Sequence, residues 1–97
     1  MAYFTKVTSS TQIKTGKGKF WGYLVGTDGT NDPTITITDE VNATGKNSGE
    51  MVPTATYDAS ALGVNGALLS EPILYDHGIY VTISISAGTV EVTILHD

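Results

Sequence analysis

Two histidines, ten carboxylates and five lysines are the groups with which this 97-residue chain could do chemistry. His77 lies between Asp76 and Gly78, and His96 precedes Asp97. A nucleophilic triad needs a base held beside a nucleophile on a strained turn, and no G-x-S-x-G or comparable elbow is present. Both histidines therefore read as surface turn residues. Asp39 and Glu40 are adjacent at a strand end, where neighbouring side chains point to opposite faces, so they form no acid/base pair and read as a turn. Residues 28–32, Asp-Gly-Thr-Asn-Asp, place several oxygens in a short loop. They lack the alternating acids and distant bidentate Glu of an EF-hand, and Asp, Gly and Asn serve turns in their own right. No catalytic, metal-ligating or cofactor-binding set emerges, and the chain is expected not to be an enzyme and to need no cofactor.

Lys14, Lys17 and Lys19 cluster in Lys-Thr-Gly-Lys-Gly-Lys, which lacks both the G-x-x-x-x-G-K-[ST] spacing and the following helix of a phosphate loop. They read as a solvated lysine loop. Phe20, Trp21 and Tyr23 form the aromatic cluster, and strict alternation puts Trp21 and Tyr23 on one face with Phe20 on the other. Core packing is one reading of the cluster. An exposed Trp21 that anchors a subunit interface or stacks on a sugar ring is the other. These three aromatics and three lysines are the expected interface residues.

The elements that must position these groups are strands. Residues 34–38, Thr-Ile-Thr-Ile-Thr, put Ile35 and Ile37 on one face and threonines on the other, as in a half-buried antiparallel strand. Residues 79–86 repeat the pattern with Ile79, Val81, Ile83 and Ile85 inward, and residues 89–95 repeat it with Val90, Val92 and Ile94 inward. Ala87-Gly88 between them predicts a tight turn and a C-terminal hairpin. Residues 20–25 are predicted to pair with 34–38 as a second hairpin across the turn-prone segment 26–33. Strands are also expected over 3–8, 51–57 and 72–75, with Pro53 placing its strand at an edge or a bulge. Residues 42–49 read as a long exposed loop, and Gly63 and Gly66 limit 59–69 to one helical turn. The fold expected is a single all-β domain spanning residues 1–97, an antiparallel β-sandwich or small β-barrel of about seven short strands.

Composition narrows the partners. Without cysteine there is no disulfide, zinc finger or thiol nucleophile, so packing or assembly must hold the fold. The net charge of −5 includes no arginine, and residues 47–97 carry six acids and no lysine, which argues against nucleic acid as a partner. Residues 1–12 contain no apolar block of signal-peptide length, and the run 79–85 is broken by Thr82 and Ser84, so neither export nor a membrane span is expected. Fifteen threonines suit exposed strand faces that meet neighbouring chains at low side-chain entropy cost.

The order of residues 17–30 (Lys-Gly-Lys-Phe-Trp-Gly-Tyr-Leu-Val-Gly-Thr-Asp-Gly-Thr), 34–39 (Thr-Ile-Thr-Ile-Thr-Asp), 78–84 (Gly-Ile-Tyr-Val-Thr-Ile-Ser) and 90–94 (Val-Glu-Val-Thr-Ile) resembles the small all-β virion proteins of tailed bacteriophages. The resemblance implies a structural virion protein, a capsid decoration or cement protein that binds and stabilises the outer shell. It further implies a homo-oligomer, with a trimer the favoured number, seated on the major capsid protein. A carbohydrate-binding or host-adhesion module and a tail or head–tail connector component are the alternatives.

Overall fold

The computed structural model describes residues 3–41, 49–60 and 65–97. These form eight strands: β1 (Tyr3–Val7), β2 (Thr11–Thr15), β3 (Gly18–Thr27), β4 (Thr34–Thr38), β5 (Glu50–Thr56), β6 (Asn65–Tyr75), β7 (Gly78–Ser84) and β8 (Val90–His96). Residues 42–48 of the expected long loop lie outside the described residues, as do 61–64. Two strands go beyond the sequence reading. β2 has a single apolar residue, Ile13, and its register with β7 breaks between Gln12 and Lys14, so it shows no alternation. β6 begins at Asn65 rather than at Pro72.

The strands form two four-stranded antiparallel sheets, ordered β1-β8-β3-β6 and β2-β7-β4-β5. The chain switches sheets at every connection except β4–β5, and the resulting order is that of a jelly roll, a double sheet built from two Greek keys. The expected sandwich is therefore present, and the sheets do not close into a barrel.

Both expected hairpins are corrected. β7 pairs with β2 and β4 while β8 pairs with β1 and β3, and β3 and β4 likewise lie in opposite sheets. Alternation dictates which residues face inward but not which strand lies alongside, and in a sandwich an arch buries the same two inward rows against each other that a hairpin would set side by side.

The inward rows meet between the sheets. Ile35, Ile37, Ile79, Val81, Val92 and Ile94 are completely buried, joined by Phe20, Val25, Tyr75 and Val90, with Ile83 and Ile85 half-buried against them. Each such Val or Ile contributes about 1.5–3 kcal/mol by leaving water. Pro53 lies in the edge strand β5, whose register with β4 shifts on either side of Ile37, in agreement with its expected place.

One irregularity governs the aromatic cluster. Phe20 pairs with His96 and Gly22 with Leu95, so Trp21 is an extra residue on β3 and the side-chain phase resets there. Phe20 and Tyr23 consequently both face the core, and Trp21 and Tyr23 do not share a face.

Candidate functional site

The polar groups read as surface turns prove to hold the corners of the sandwich. The two-residue connection from β6 to β7, Asp76-His77, crosses from one sheet to the other, so its N–H groups have no strand alongside. Asp39 supplies the acceptors. Its Oδ2 receives the N–H of Asp76 at 2.9 Å, and its Oδ1 receives those of His77 at 2.8 Å and Gly78 at 3.2 Å. Burial pushes the Asp39 carboxyl upward, but these three donors and the nearby His77 ring hold it below the usual carboxylate range. His77 is exposed as expected, with Nδ1 3.7 Å from Asp39 Oδ1. Asp39 and Glu40 are buried rather than exposed at a turn, Glu40 completely.

His96 also departs from its expected surface position. It continues the inward row of Val90, Val92 and Ile94, is only 7% exposed, and its Nε2 lies 2.9 Å from Thr5 Oγ1 on β1. Beside it, Asp97 closes the end of its sheet. Its N–H donates to the Lys19 carbonyl at 2.9 Å, its carbonyl accepts the Tyr75 hydroxyl at 2.8 Å, and its Oδ1 accepts the Trp21 indole N–H at 3.2 Å. Burial, with the negative charges of Asp97 and Asp39, pushes the Tyr75 phenol up.

At the opposite corner Asp28 joins two connections. Its Oδ1 accepts the N–H groups of Thr30 and Asn31, each at 2.9 Å, and its Oδ2 accepts the Asn31 side chain at 3.0 Å and the Thr89 N–H at 3.2 Å. The Asn31 backbone and side chain, then Thr30 and Thr89, hold its carboxyl far below the usual range. Asp32 Oδ1 accepts the Ala59 N–H at 2.8 Å. The oxygens that faintly suggest a cation loop in the sequence are thus turned to N–H donors, and among the described residues no group of three His, Asp or Glu is placed to hold a metal ion.

The six expected interface residues separate. Phe20 is 1% exposed and belongs to the core. Tyr23 meets Tyr57 across the sandwich, hydroxyl to hydroxyl at 2.8 Å with the rings edge to face, 6.3 Å apart at 68°. Burial and the Tyr23 hydroxyl push the Tyr57 phenol well up. Trp21 is half-buried outside the core. Lys14 lies in β2, Lys17 at the exposed β2–β3 turn, and Lys19 is exposed on β3, so the lysine loop of the sequence reading is two strands and a tight connection.

The open surfaces of the two sheets differ. Facing away from the core, β4, β5 and β7 present Thr34, Thr36, Thr54, Thr56, Thr82 and Ser84, and the hydroxyls of Thr34 and Thr56 and of Thr36 and Thr54 pair at 2.8 and 2.7 Å. The sheet of β1, β8, β3 and β6 presents apolar groups instead. Phe4 (73%), Leu68 (66%) and Leu74 (69%) are exposed, with Leu24 and Leu95 half-buried beside them. No local pattern marks this face. It becomes visible only when register sets Phe4, Leu95, Gly22 and Leu68 in one row.

At one end of the apolar face, Gly26 leaves an open depression of about 550 Å³ lined by Lys6, Leu24, Asp28, Asn65, Glu91 and Thr93 among others, and among the described residues no aromatic ring lines it. Lys6 Nζ and Glu91 Oε2 are 3.6 Å apart there. Among the described residues no helix is long and apolar enough to cross a membrane. No family model, no curated protein and no solved structure matches the chain.

Proposed function

We propose that the protein is a structural component of a virus particle, a capsid decoration or cement protein that covers the outer shell. The observation that carries this reading is the division of labour among its polar groups. Asp28, Asp39, His96 and Asp97 are spent on holding strand corners, while both broad faces of the sandwich stand open, one threonine-covered and one apolar. Such a molecule works through extended surfaces rather than through a cleft. Viral capsid proteins are among the proteins that use this topology, although lectins do too, so the topology lends weight only alongside the surfaces. A partner that binds only the folded form also adds stability to a small domain without disulfides.

In this reading the threonine face and the β2–β3 corner, with Lys14 and Lys17, meet the shell, and that corner seeks an acidic surface on the major capsid protein. The adhesion alternative would stack a sugar on Trp21 with nearby tyrosines. Trp21 is half-buried outside the core with its indole N–H given to Asp97, and Tyr23, Tyr57 and Tyr75 pack against the interior, so these tyrosines supply no platform beside it. The test is to add purified protein to undecorated tailed-phage capsids and to follow co-sedimentation and the melting temperature of the shell. Binding with a more heat-resistant shell is expected. Binding to a glycan array with none to capsids would replace this reading by adhesion, and labelled particles carrying the protein on the tail would replace it by a connector role.

A further inference from the structure

We infer that the apolar face of the β1-β8-β3-β6 sheet is a self-complementary surface on which a second copy of this chain docks about a two-fold axis parallel to the strands. The argument starts from exposure. An outward face of an antiparallel sheet is ordinarily polar, yet here Phe4, Leu68 and Leu74 are each more than 60% exposed, and Leu24, Leu95 and Trp21 lie among them.

Charge selects the occupant. The register places Lys6, Lys19, Glu91 and Asp97 on this face, two positive and two negative. These four charges cancel, while the chain as a whole carries −5; Glu71, exposed in the stretch of β6 that has no partner in β3, is the further acid on this sheet. Two copies that meet here through the paired positions bring both signs of charge together in equal number.

Register then supplies the fit. A two-fold axis running along the strands between β8 and β3 lays β8 of one copy over β3 of the other, and β1 over β6, at equal height along the strands. Each Phe4 comes over Leu68 of the other copy, and each Leu95 over Gly22, which raises no side chain of its own. Each Asp97 comes over Lys19, because the two are neighbours across the β8–β3 ladder. That opposite-charge contact forms twice, and Glu91 falls over Gly26 rather than over another acid. The molecule as a whole, loops included, extends 36 × 28 × 18 Å, an outline large enough to contain the ~800 Å² per partner of a standard stable interface. Aligned packing of two sheets at about −30° is an established way to bury such faces. An isologous contact builds dimers, and not the trimer that the resemblance implies.

The inference does not depend on the shell, and its test uses the purified full chain alone. Sedimentation equilibrium over a dilution series is expected to give twice the 10.2 kDa chain mass. Leu68→Asp and Phe4→Asp, both at exposed positions, are expected to give monomers with unchanged far-ultraviolet circular dichroism, whereas Thr82→Asp on the opposite sheet leaves the dimer intact. Lys19→Glu is expected to weaken the dimer at least tenfold, and adding Asp97→Lys to restore it. A monomer throughout the series overturns the inference, as does an assembly of any size whose mass is unaffected by both Leu68→Asp and Phe4→Asp. Either result leaves the capsid assay readable, because shell binding is measured separately.

Discussion

The carboxylate of Asp39 accepts the backbone N–H of His77 at 2.8 Å, although the two residues are 38 positions apart. That bond, with its neighbours to Asp76 and Gly78, lets a two-residue connection cross between sheets without leaving buried donors unpaired. Asp39→Ala is expected to destabilise the fold by about 2–4 kcal/mol, since three donors lose one charged acceptor. For a domain of this size each kcal/mol lowers Tm by roughly 4–8 °C, which calorimetry measures directly.

The same carboxylate gives stability a pH dependence of defined sign. Its pKa is depressed in the folded state, so its contribution is fully present above the unfolded value of about 3.9 and is lost as pH falls through the lower folded value. Denaturant titrations are expected to show stability falling below about pH 4. The slope is expected to be shallower in Asp39→Ala, though not flat, because Asp28 and Asp58 are depressed as well. An identical slope in the variant would assign the acid sensitivity to other groups.

Gly88 has φ +78°, and a Cβ there would collide with Asp28 Oδ2 and crowd the Asn31 side chain. Gly88→Ala is expected to cost at least the ~1–2 kcal/mol of a left-handed backbone, with the displaced carboxylate adding to it. Combining it with Asp28→Ala is expected to cost less than the two single changes together, because the obstructing group is gone. Strict additivity in that double-mutant cycle would show that the two connections are not coupled through Asp28.

The two histidines should separate chemically. His77 is exposed and His96 is 7% exposed against Thr5, so diethyl pyrocarbonate is expected to modify one histidine rapidly in the folded protein and the second only on unfolding. Peptide mapping identifies which is which. Equal rates for both would contradict the inward place of His96.

Core substitutions should grade with depth. Ile35→Ala and Val92→Ala remove side chains that are completely buried between the sheets. Ile35→Ala is expected to cost about 2–5 kcal/mol, and the half-buried Ile85→Ala clearly less. Urea midpoints at constant m-value report the order.

Strand alternation is a local property of the chain, and so the inward rows of β4, β7 and β8 could be read directly from residues 34–38, 79–85 and 90–94. Pro53 announced its edge because a missing N–H is equally local. The neighbour of each strand was beyond that reach. A hairpin and an arch present the same inward side chains and the same turn residues, and the choice depends on how all eight strands bury one another. The buried polar groups were hidden for a related reason. Asp39 and His96 take partners 37–39 and 91 residues away, and nothing beside them in sequence distinguishes an anchor from a surface turn. The exposed Asp28, by contrast, makes its expected turn with Thr30 and Asn31 and reaches only Thr89 from afar, 61 residues on. The aromatic cluster was misassigned by one bulge, since a single extra residue at Trp21 reverses every later side chain of that strand. The apolar face is the largest difference between the two levels. Phe4, Leu68 and Leu95 are isolated letters in three distant segments, and only the sheet's register, set by burial of the opposite face, brings them into one row.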